Sequence, residues 1–316
     1  MFASVIIPSY NGAHLLPTCL RSLRSQRYPT FEAVVVDNGS TDGTRELIHR
    51  DFPEVRVISL GTNHYFSGAV NAGIRQTAGD AVALLNNDTE AEADWLSELC
   101  RALESSREAG MAASKMLLFD RRDVLNSAGD FYRVDGIPGN RGVWEVDRGQ
   151  YDREEEVFGP CAGAALYRRE MLEDVGLFDE DLVAYCEDVD LSWRAQIAGW
   201  KCVYVPTARV YHMLSSTGGG PFASYYCGRN FIAVAAKNMP WTIVRRYWRQ
   251  IAAAQLGLAW EALKHAREPA ARARLRGQLA GLWQMPAMWR KRRQVQERRR
   301  VTDERLLSLL TPVPGG

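Results

Sequence analysis

The sequence lacks the features that mark a zinc-bound, disulfide-held or membrane-spanning protein. Its six cysteines are widely spaced and form no CxxC pair, which argues against a structural zinc site and against a disulfide framework. No uncharged apolar run approaches the ~18 residues that a membrane-spanning helix needs. The first residues contain no basic segment followed by an apolar stretch, so we expect no signal peptide. These absences favour a protein of the reducing cytoplasm.

The composition is that of a globular protein with an uneven distribution of charge. Of the 316 residues, 46% are apolar and 24% are charged, which is enough apolar material for one large domain or two modest ones. Residues 1–240 contain 23 Lys and Arg against 33 Asp and Glu, a net charge of −10. Residues 241–300 contain 15 against 3, a net charge of +12. An acidic body followed by a basic tail indicates two roles within one chain.

Short apolar segments alternate with helix-like segments along the first part of the chain. Strand-like runs occur at 4–8, 33–36, 55–61 and 80–85, with helical spacing between them. This order predicts an α/β fold with a mostly parallel sheet and helices on both faces. Further on, we expect an irregular region with a hairpin or loop at 110–160, a strand running into a helix at 161–172, a strand at 201–206, and basic helices from Phe222 onward.

Polar residues follow three of the predicted strands directly. They are Pro8–Asn11, Asp37–Asn38 and Asn86–Asp88. Ligands of open α/β sheets bind at the carboxyl ends of the strands. We therefore expect these residues to line one ligand cleft.

Five motifs between residues 4 and 194 carry a resemblance to a known family. They are "SVIIPSYNG", "VVVDNGSTDGT", "GAVNAGI", "LLNND" and "EDVDLSWR", in that order. Together they resemble the family 2 glycosyltransferases of the GT-A fold, and within them the bacterial rhamnosyltransferase-like branch, which builds cell-surface polysaccharide. The resemblance implies a GT-A domain over residues 1–222, with a nucleotide-binding half (1–110) and an acceptor-binding half (111–222). Residues 223–316 form a helical basic extension in this prediction.

The nucleotide site is predicted from the strand ends and from the resemblance. Asp37 can accept a hydrogen bond from a pyrimidine imide N–H, or it can be a turn-forming residue. The resemblance implies that it reads the base of a dTDP- or UDP-sugar. "GAVNAGI" is not a complete GxGxxG fingerprint, and its glycines can serve packing alone, but the resemblance implies that Asn71 faces the nucleotide. The expected nucleotide-binding residues are Pro8, Tyr10, Asn11, Asp37, Asn38, Asn71, Asn86 and Asn87.

A divalent cation is expected beside the fourth strand. Asn86–Asn87–Asp88 stands where the family carries its acidic DxD motif, but only Asp88 supplies a carboxylate. We therefore expect weak cation binding in the absence of nucleotide. The resemblance implies His212 as a second ligand, although a lone histidine can equally be a satisfied structural residue. A mixed oxygen–imidazole site favours Mn²⁺ or Mg²⁺ over structural zinc.

The densest group of carboxylates lies in the acidic segment 179–190. Such acids favour a helix N-terminus, yet "AYCEDVD" also places Glu187 and Asp188 among apolar neighbours, where desolvation raises a carboxyl pKa. A base near the working pH can deprotonate a sugar hydroxyl. By resemblance to the family's ED motif, Asp188 is the base and Glu187 its neighbour on the acceptor side. We expect Trp193 and Arg194 on the acceptor side too, with simple packing as the alternative for Trp193.

The basic tail interleaves aromatic and cationic side chains. Residues 241–300 contain five tryptophans among 15 Lys and Arg. This composition predicts contact with an anionic membrane surface, an interface in a homo-oligomer, or helices that cover the core. No RNA- or DNA-binding motif accompanies it, so we expect no nucleic-acid partner.

These features together predict a metal-dependent inverting glycosyltransferase. It would move rhamnose or a similar hexose to a hydroxyl of a saccharide or lipid-linked saccharide acceptor. We expect it in the cytoplasm, at the inner face of the plasma membrane if the tail binds lipid. The alternatives are a nucleotide-sugar-binding subunit without catalysis and a nucleotidyltransferase. The second predicts a Gly-rich basic phosphate loop after the first strand, which "PSYNGAHLL" does not supply.

Overall fold

The computed structural model describes residues 1–213 and 219–313, and in this part of the chain a ten-stranded sheet lies between layers of helices. The strands are β1 (Ala3–Ser9), β2 (Phe31–Asp37), β3 (Arg56–Ser59), β4 (Ala81–Leu85), β5 (Thr89–Ala91), β6 (Ala109–Leu118), β7 (Leu125–Ser127), β8 (Asp130–Tyr132), β9 (Pro138–Asn140), β10 (Glu155–Val157), β11 (Ala164–Arg168) and β12 (Lys201–His212). The helices are α1 (Leu16–Arg24), α2 (Thr44–Asp51), α3 (Tyr65–Arg75), α4 (Trp95–Ser105), α5 (Arg169–Val175), α6 (Glu187–Ile197), α7 (Gly220–Asn238), α8 (Trp241–Lys264), α9 (Pro269–Glu297) and α10 (Asp303–Leu309).

The sheet is parallel in its first half and mixed in its second. β3, β2, β1 and β4 lie side by side and run parallel. β11 then runs antiparallel to both β4 and β6, and β12 pairs with β6 in parallel. β10 pairs with β12 and forms this edge of the sheet. β5 also pairs with β12, and β7 pairs with β6. β8 and β9 form a separate hairpin. The predicted α/β class is therefore present, and the parallel arrangement applies to the first four strands.

Alternate residues of the central strands pack on opposite faces of the sheet. In β1, Val5 and Ile7 join the apolar layer that contains α1 and α4, whereas Ile6 joins the layer that contains α3, α5 and α6. Both faces are buried, which is why β4 is an uninterrupted apolar run. The carboxyl ends of β1, β2 and β4 reach the same edge, because these strands run parallel.

β6 is the largest departure from the sequence-based expectation. We predicted irregular structure after residue 110, but Ala109–Leu118 is a strand in which every residue is buried. The strand does not read as an apolar run in the sequence, because it contains small side chains and a lysine. Lys115 is completely buried, and its Nζ lies 2.6 Å from carboxylate oxygens of both Asp147 and Asp152. These partners compensate for burial of the ammonium group.

The C-terminal helices share a core with the acceptor half of the protein. α7 packs along α9, and Met288, Val295 and Leu306 join Trp193 of α6 in one apolar cluster. The boundary predicted after residue 222 falls inside α7, which begins at Gly220. The extension therefore supports α6 directly.

α8 and the outer side of α9 present large apolar side chains to solvent. Trp248, Trp260 and Trp283 are 57%, 63% and 86% exposed. Within the described ranges, no helix combines the length and the apolar composition that crossing a bilayer requires.

Candidate active site

A cleft of about 800 Å³ opens at the carboxyl ends of β1 and β4. Its volume lies within the usual range of small-molecule sites in enzymes. Nine predicted site residues line it, namely Pro8, Tyr10, Asn11, Asn38, Asn86, Asn87, Glu187, Asp188 and His212. Side chains from distant parts of the sequence thus meet in one cavity.

The turn after β1 is held against the end of β4. Asn87 Nδ2 donates to Ser9 Oγ (3.1 Å), and both side chains are buried. Gly12 comes so close that an added Cβ would overlap Ser9 Oγ and lie 2.5 Å from Asn87 Nδ2. Tyr10 stays 48% exposed on the cleft wall, where its ring is free to stack on a planar group.

Asn11 and Asp37 order the loop that follows β2. Asn11 has a left-handed φ of 49°, and its Oδ1 accepts from Thr41 N (2.9 Å). Asp37 is buried, accepts from Ser40 N (3.1 Å), and lies 3.5 Å from Arg45 Nε. Asp37 therefore has the turn-forming role that the sequence left open as an alternative. It lies behind the residues that line the described cleft. Base recognition by Asp37 stays a prediction.

Two predicted nucleotide ligands bind backbone. Asn38 Nδ2 donates to Tyr65 O (3.0 Å) and its Oδ1 accepts from His64 N (2.8 Å), so it shapes the rim that it lines. Asn71 Nδ2 donates to Phe178 O (2.9 Å) and its Oδ1 accepts from Phe178 N (3.1 Å). Asn71 is not among the described lining residues. Both ends of its amide tie α3 to the segment before α6, and the expectation that it faces the nucleotide stays a prediction.

Asp88 and His212 meet where β5 pairs with β12. Asp88 Oδ1 lies 3.3 Å from His212 Nε2, and Asp88 is buried. His212 is the last residue of β12, although we expected it beyond the strand. Asn126 Oδ1, which can only accept, lies 2.9 Å from His212 Nδ1. In the neutral tautomer with its proton on Nδ1, the imidazole donates to this oxygen and Nε2 faces Asp88.

This pair fits two positions in the shell of a divalent cation. Two ligands that bind an ion at ~2.1 Å and at right angles are about 3 Å apart, close to the observed separation. Among the residues that the structure describes, no His, Cys, Asp or Glu completes a group of three. Other oxygen donors, such as phosphate and water, would have to fill the remaining positions. Asn126 would fix the imidazole, as hydrogen-bond partners of metal-bound histidines do.

Glu187 and Asp188 begin α6 inside the cleft. Ala162 N donates to Asp188 Oδ2 (3.1 Å) and Val189 N donates to Asp188 Oδ1 (2.8 Å). Burial raises the pKa of Asp188 although these two bonds oppose the shift. Burial, followed by repulsion from Asp188, raises the pKa of Glu187 well above its ordinary value. Ionisation of one of these two adjoining carboxyl groups therefore disfavours ionisation of the other.

A third carboxyl group, Asp130, lines the same cleft and was missed in the sequence. It is buried at the start of β8, and Asn140 Nδ2 of β9 donates to its Oδ1 (2.7 Å). Burial, followed by repulsion from Asp188, raises the pKa of Asp130 well above its ordinary value. "SAGDFYR" gives no signal of this role, because only the fold brings the hairpin beside α6.

Trp193 and Arg194 are not among the described residues that line the cleft, and their contact with an acceptor stays a prediction. Trp193 is completely buried, with its ring centroid 5.0 Å from that of Tyr132 and 5.2 Å from that of Phe158. Arg194 Nε donates to Asp190 Oδ2 (2.9 Å), and its other nitrogens donate to carbonyls at the end of α5. α6 is buried nearly all round, so sequence spacing cannot tell which of its faces meets the ligand.

The loop before α6 is strained and is held by α7. Val183, Tyr185 and Cys186 have φ angles of 66°, 65° and 65°, in the left-handed region that side chains disfavour. Asn230 of α7 is completely buried, and its Nδ2 donates to three carbonyls of this loop at 2.7, 2.9 and 3.0 Å. An asparagine within a helix carries no distinctive sequence signal, and this residue was missed.

The chain matches the model of one protein family and is similar in sequence to known proteins. The model of glycosyl transferase family 2 matches residues 4–176. N-acetylglucosaminyl-diphospho-decaprenol L-rhamnosyltransferase of Mycobacterium tuberculosis is 32% identical over 263 residues, which cover 75% of this chain and 85% of that protein. Uncharacterized protein y4gI of Sinorhizobium fredii is 30% identical over 228 residues, 68% of this chain. The chain spans only 25% of the length of y4gI.

Solved structures of glycosyltransferases share the fold. A fragment of S. aureus TarS in complex with UDP-GlcNAc aligns with a TM-score of 0.59 at 18% identity, covering 94% of this chain and 91% of that one. GalNAc-T7 with UDP, GalNAc and Mn²⁺ aligns with a TM-score of 0.61 at 17% identity, covering 75% and 48%. At such identities the likeness shows the fold alone, and it confirms the predicted GT-A fold. With the family model matching more than half of its length, the chain belongs to glycosyl transferase family 2 and is a glycosyltransferase.

Proposed function

We propose that this glycosyltransferase moves rhamnose or a similar hexose from a dTDP- or UDP-sugar to a hydroxyl of a saccharide or lipid-linked saccharide acceptor, with inversion and with help from a divalent cation. One observation carries the proposal: Asp188 and His212 line a single cleft, and Asp88, which is not among its described lining residues, lies with its Oδ1 3.3 Å from His212 Nε2. The mycobacterial relative is named for rhamnosyl transfer to N-acetylglucosaminyl-diphospho-decaprenol. That name supports rhamnose, a lipid-linked acceptor and a role in cell-surface polysaccharide.

Asp188 is the general base of the proposed reaction. It takes the proton of the acceptor hydroxyl, whose oxygen attacks the anomeric carbon while the bond to the nucleoside diphosphate breaks. The electron pair of that bond leaves with the diphosphate. Burial raises the pKa values of Glu187 and Asp130, which disfavours the ionised forms that could act as nucleophiles. A single displacement inverts the anomeric configuration.

Asp88 and His212 are the residues that would hold Mn²⁺ or Mg²⁺. The cation supplies positive charge that stabilises a departing diphosphate. The GalNAc-T7 structure contains Mn²⁺ beside UDP, which supports a metal in this fold. Because one carboxylate and one imidazole are a small ligand set, we expect Mn²⁺ to bind weakly alone and more tightly with UDP present.

The donor nucleotide would lie along the ends of β1, β2 and β4. The side chains available there are Pro8, Tyr10, Asn11, Asn38, Asn86 and Asn87. The UDP-GlcNAc complex of TarS supports a nucleotide sugar as the donor class. The exposed ring of Tyr10 is the best candidate for stacking on the base.

The test is a screen of dTDP- and UDP-sugars, with Mn²⁺, Mg²⁺ or EDTA, for nucleoside diphosphate release and for a glycosylated acceptor. We expect Asp188→Asn to abolish transfer while the Kd for the nucleotide stays within about twofold. Asp181→Asn is the control, because Asp181 belongs to the same acidic segment but is exposed and outside the cleft lining. Full turnover of Asp188→Asn would refute the assignment. Nucleotide-sugar binding without turnover would favour a non-catalytic subunit, and pyrophosphate release would favour a nucleotidyltransferase.

We further propose that the extension docks on the inner face of the plasma membrane through the α8–α9 surface. This surface consists of nine exposed side chains, Trp241, Trp248, Leu256, Trp260, Leu263, Leu279, Leu282, Trp283 and Trp289. Residues 241–260 and 269–296 contain no Asp or Glu, so positive charge predominates around the surface, and Glu261 and Glu268 are the acidic residues of the segment between them. Tryptophan and arginine suit the interface of an anionic bilayer. A second copy is disfavoured there, because the exposed Arg245, Arg246 and Arg249 of two copies would face each other.

Vesicle co-sedimentation tests the docking proposal. The full-length chain should sediment with phosphatidylcholine–phosphatidylglycerol vesicles, but not with phosphatidylcholine alone, and salt should weaken the binding. The double variant Trp260→Gln/Trp283→Gln should lose it, whereas Trp144→Gln, a 64% exposed tryptophan outside the surface, should not. Deletion of the extension is uninformative because Met288, Val295 and Leu306 belong to the core. A double variant that keeps vesicle binding but dissociates a dimer would contradict the proposal.

A further inference from the structure

One wall of the cleft is built from aromatic rings that the proposed chemistry has not used. Tyr185 comes from the loop before α6, and Phe222 and Phe231 come from α7. Phe222 is 40% exposed, and its ring centroid lies 6.3 Å from those of both Tyr185 and Tyr65. A cluster of large rings that remains open to a cavity is a binding surface more often than a core.

One carboxyl oxygen without a hydrogen-bond partner among the described residues stands beside this wall. Glu187 lines the cleft and is only 6% exposed. Its Oε2 has no hydrogen-bond partner among the residues that the structure describes. A buried polar atom left unpaired costs about 1–3 kcal/mol, so its presence at the wall of a cavity points to a ligand that supplies the missing bond.

We propose that Tyr185, Phe222 and Glu187 form the subsite for the sugar ring of the acceptor. A pyranose has an apolar C–H face and a rim of hydroxyls. The C–H face would pack on the Phe222 and Tyr185 rings, and a hydroxyl would bond to Glu187 Oε2. This inference rests on the proposed function and adds Tyr185 and Phe222 to Glu187, which the resemblance already implied on the acceptor side.

The position of the wall favours the acceptor over the donor. Tyr185 is three residues before Asp188, the base that takes the acceptor's proton, and Glu187 adjoins Asp188 directly. The side chains available to a nucleotide come instead from the ends of β1, β2 and β4. An acceptor on this wall would present its hydroxyl next to the base.

The wall is also held in place. Asn230 Nδ2 donates to the carbonyl of Tyr185 at 2.7 Å, which fixes the left-handed backbone from which that ring projects. Phe222 packs at 4.7 Å between centroids on Tyr226, one turn further along α7. Fixed rings lose little entropy on binding, which suits the recognition of a flexible saccharide.

Acceptor kinetics with Phe222→Ala test the subsite, using the donor that the wild-type protein accepts in the screen above. The two acceptors are N-acetylglucosaminyl-diphospho-farnesol and methyl β-N-acetylglucosaminide, which has no lipid. We expect the acceptor KM to rise about tenfold for both, equivalent to ~1.4 kcal/mol, with donor hydrolysis in water unchanged. Phe222→Trp should restore the KM. Tyr225→Ala, a neighbouring α7 ring outside the lining, should behave as wild type.

Saturation-transfer NMR of methyl β-N-acetylglucosaminide with UDP and Mn²⁺ gives a readout that needs no turnover. Wild-type protein should saturate the C–H protons of the sugar, and Phe222→Ala should not. If no donor is turned over but this difference is seen, the proposed function fails and the subsite stands. An unchanged KM and NMR signal in Phe222→Ala would overturn the subsite. An effect confined to the farnesyl acceptor would also overturn the subsite, because it would assign the wall to lipid. The absence of a saturation-transfer signal from the sugar with wild-type protein would overturn it too.

Discussion

Removing the amide of Asn230 should disable the active site before it unfolds the protein. Asn230→Leu keeps the size of the side chain but removes the donor to three loop carbonyls at 2.7, 2.9 and 3.0 Å. The amide has two hydrogens, and each lost bond to a buried carbonyl costs about 1–2 kcal/mol. The loss is therefore about 3 kcal/mol, well below the 5–15 kcal/mol that typically separates folded from unfolded states. The melting temperature should fall by about 6 °C.

The activity should fall much further than this stability loss explains. The loop holds Val183, Tyr185 and Cys186 in left-handed conformations, each of which costs about 1–3 kcal/mol and persists only while neighbours enforce it. Once it relaxes, Glu187 and Asp188 shift at the start of α6. A displacement of about 1 Å at a reacting group costs on the order of 100-fold in rate. We expect kcat to drop by that factor at a temperature where the variant is fully folded, with the Kd for UDP unchanged.

Gln278→Leu is the matched control for this experiment. Gln278 is also a buried amide of the extension, and its Nε2 donates to the backbone carbonyl of Gln255 (2.9 Å), which ties α9 to α8. It has no bond to the loop before α6. The variant should lose stability but keep kcat. If Asn230→Leu melts early yet keeps wild-type kcat, or if Gln278→Leu loses as much kcat, the loop does not depend on Asn230 as argued.

Three other predictions test separate parts of the cleft. Asn126→Leu should weaken Mn²⁺ affinity by about 10- to 100-fold, because the His212 imidazole loses the partner that orients it. The affinity is measured by titration with UDP present. An unchanged affinity would remove His212 from the ligand set. Gly12→Ala should raise the Kd for the nucleotide at least tenfold in calorimetry, since the new methyl group would collide with Ser9 and Asn87. Wild-type affinity would show that the turn after β1 is not part of the donor site. The pH profile of kcat/KM should rise with pH to a midpoint above that of an ordinary carboxyl group, because burial raises the pKa of Asp188 and only its ionised form accepts a proton. A midpoint at or below the pH of an ordinary carboxyl group would contradict this reasoning.

The parallel half of the sheet could be predicted from sequence because its signals are local. Each of β1, β2 and β4 is a short apolar run that ends in polar residues, and strands of this kind, linked by helices, place their carboxyl ends together. This rule was sufficient to bring Pro8–Asn11 and Asn86–Asn87 to one cleft. β6 could not be predicted in the same way, because the reason that Lys115 is tolerated in its middle, the pair of carboxylates from a distant loop, is tertiary.

The predictions for individual site residues divide along the same line. Glu187, Asp188 and His212 were located by their motifs, and the fold brings them to the cleft. Trp193 was placed by spacing alone, and spacing says nothing about direction in a helix that is buried on every side. Asp130 and Asn230 were missed because neither has a local pattern. Their importance arises from what the hairpin and α7 contact across the molecule.

In the folded protein, part of the basic extension pairs with the acidic segment, which the charge asymmetry of the sequence does not reveal. Lys237 Nζ lies 2.6 Å from Asp179 and 2.8 Å from Asp190, and Lys291 Nζ lies 2.6 Å from Asp179. These lysines hold the pKa of Asp179 well below its usual range even though its burial opposes the shift. The stabilisation is therefore present above the ordinary carboxyl pKa and is lost as the pH falls through the depressed one.

Part of the basic extension thus neutralises the acidic segment that precedes the catalytic helix, and it does so from inside the protein. The cations that remain on the outside, around Trp248, Trp260 and Trp283, are the ones available to a lipid surface. Because α7 and α9 connect both sets, the extension belongs to the active site through Asn230 and Lys237 and to the surface through its tryptophans. An enzyme whose acceptor is anchored in a membrane would gain from this arrangement, since the helices that we propose to reach the bilayer are packed against those that position Asp188, the proposed base.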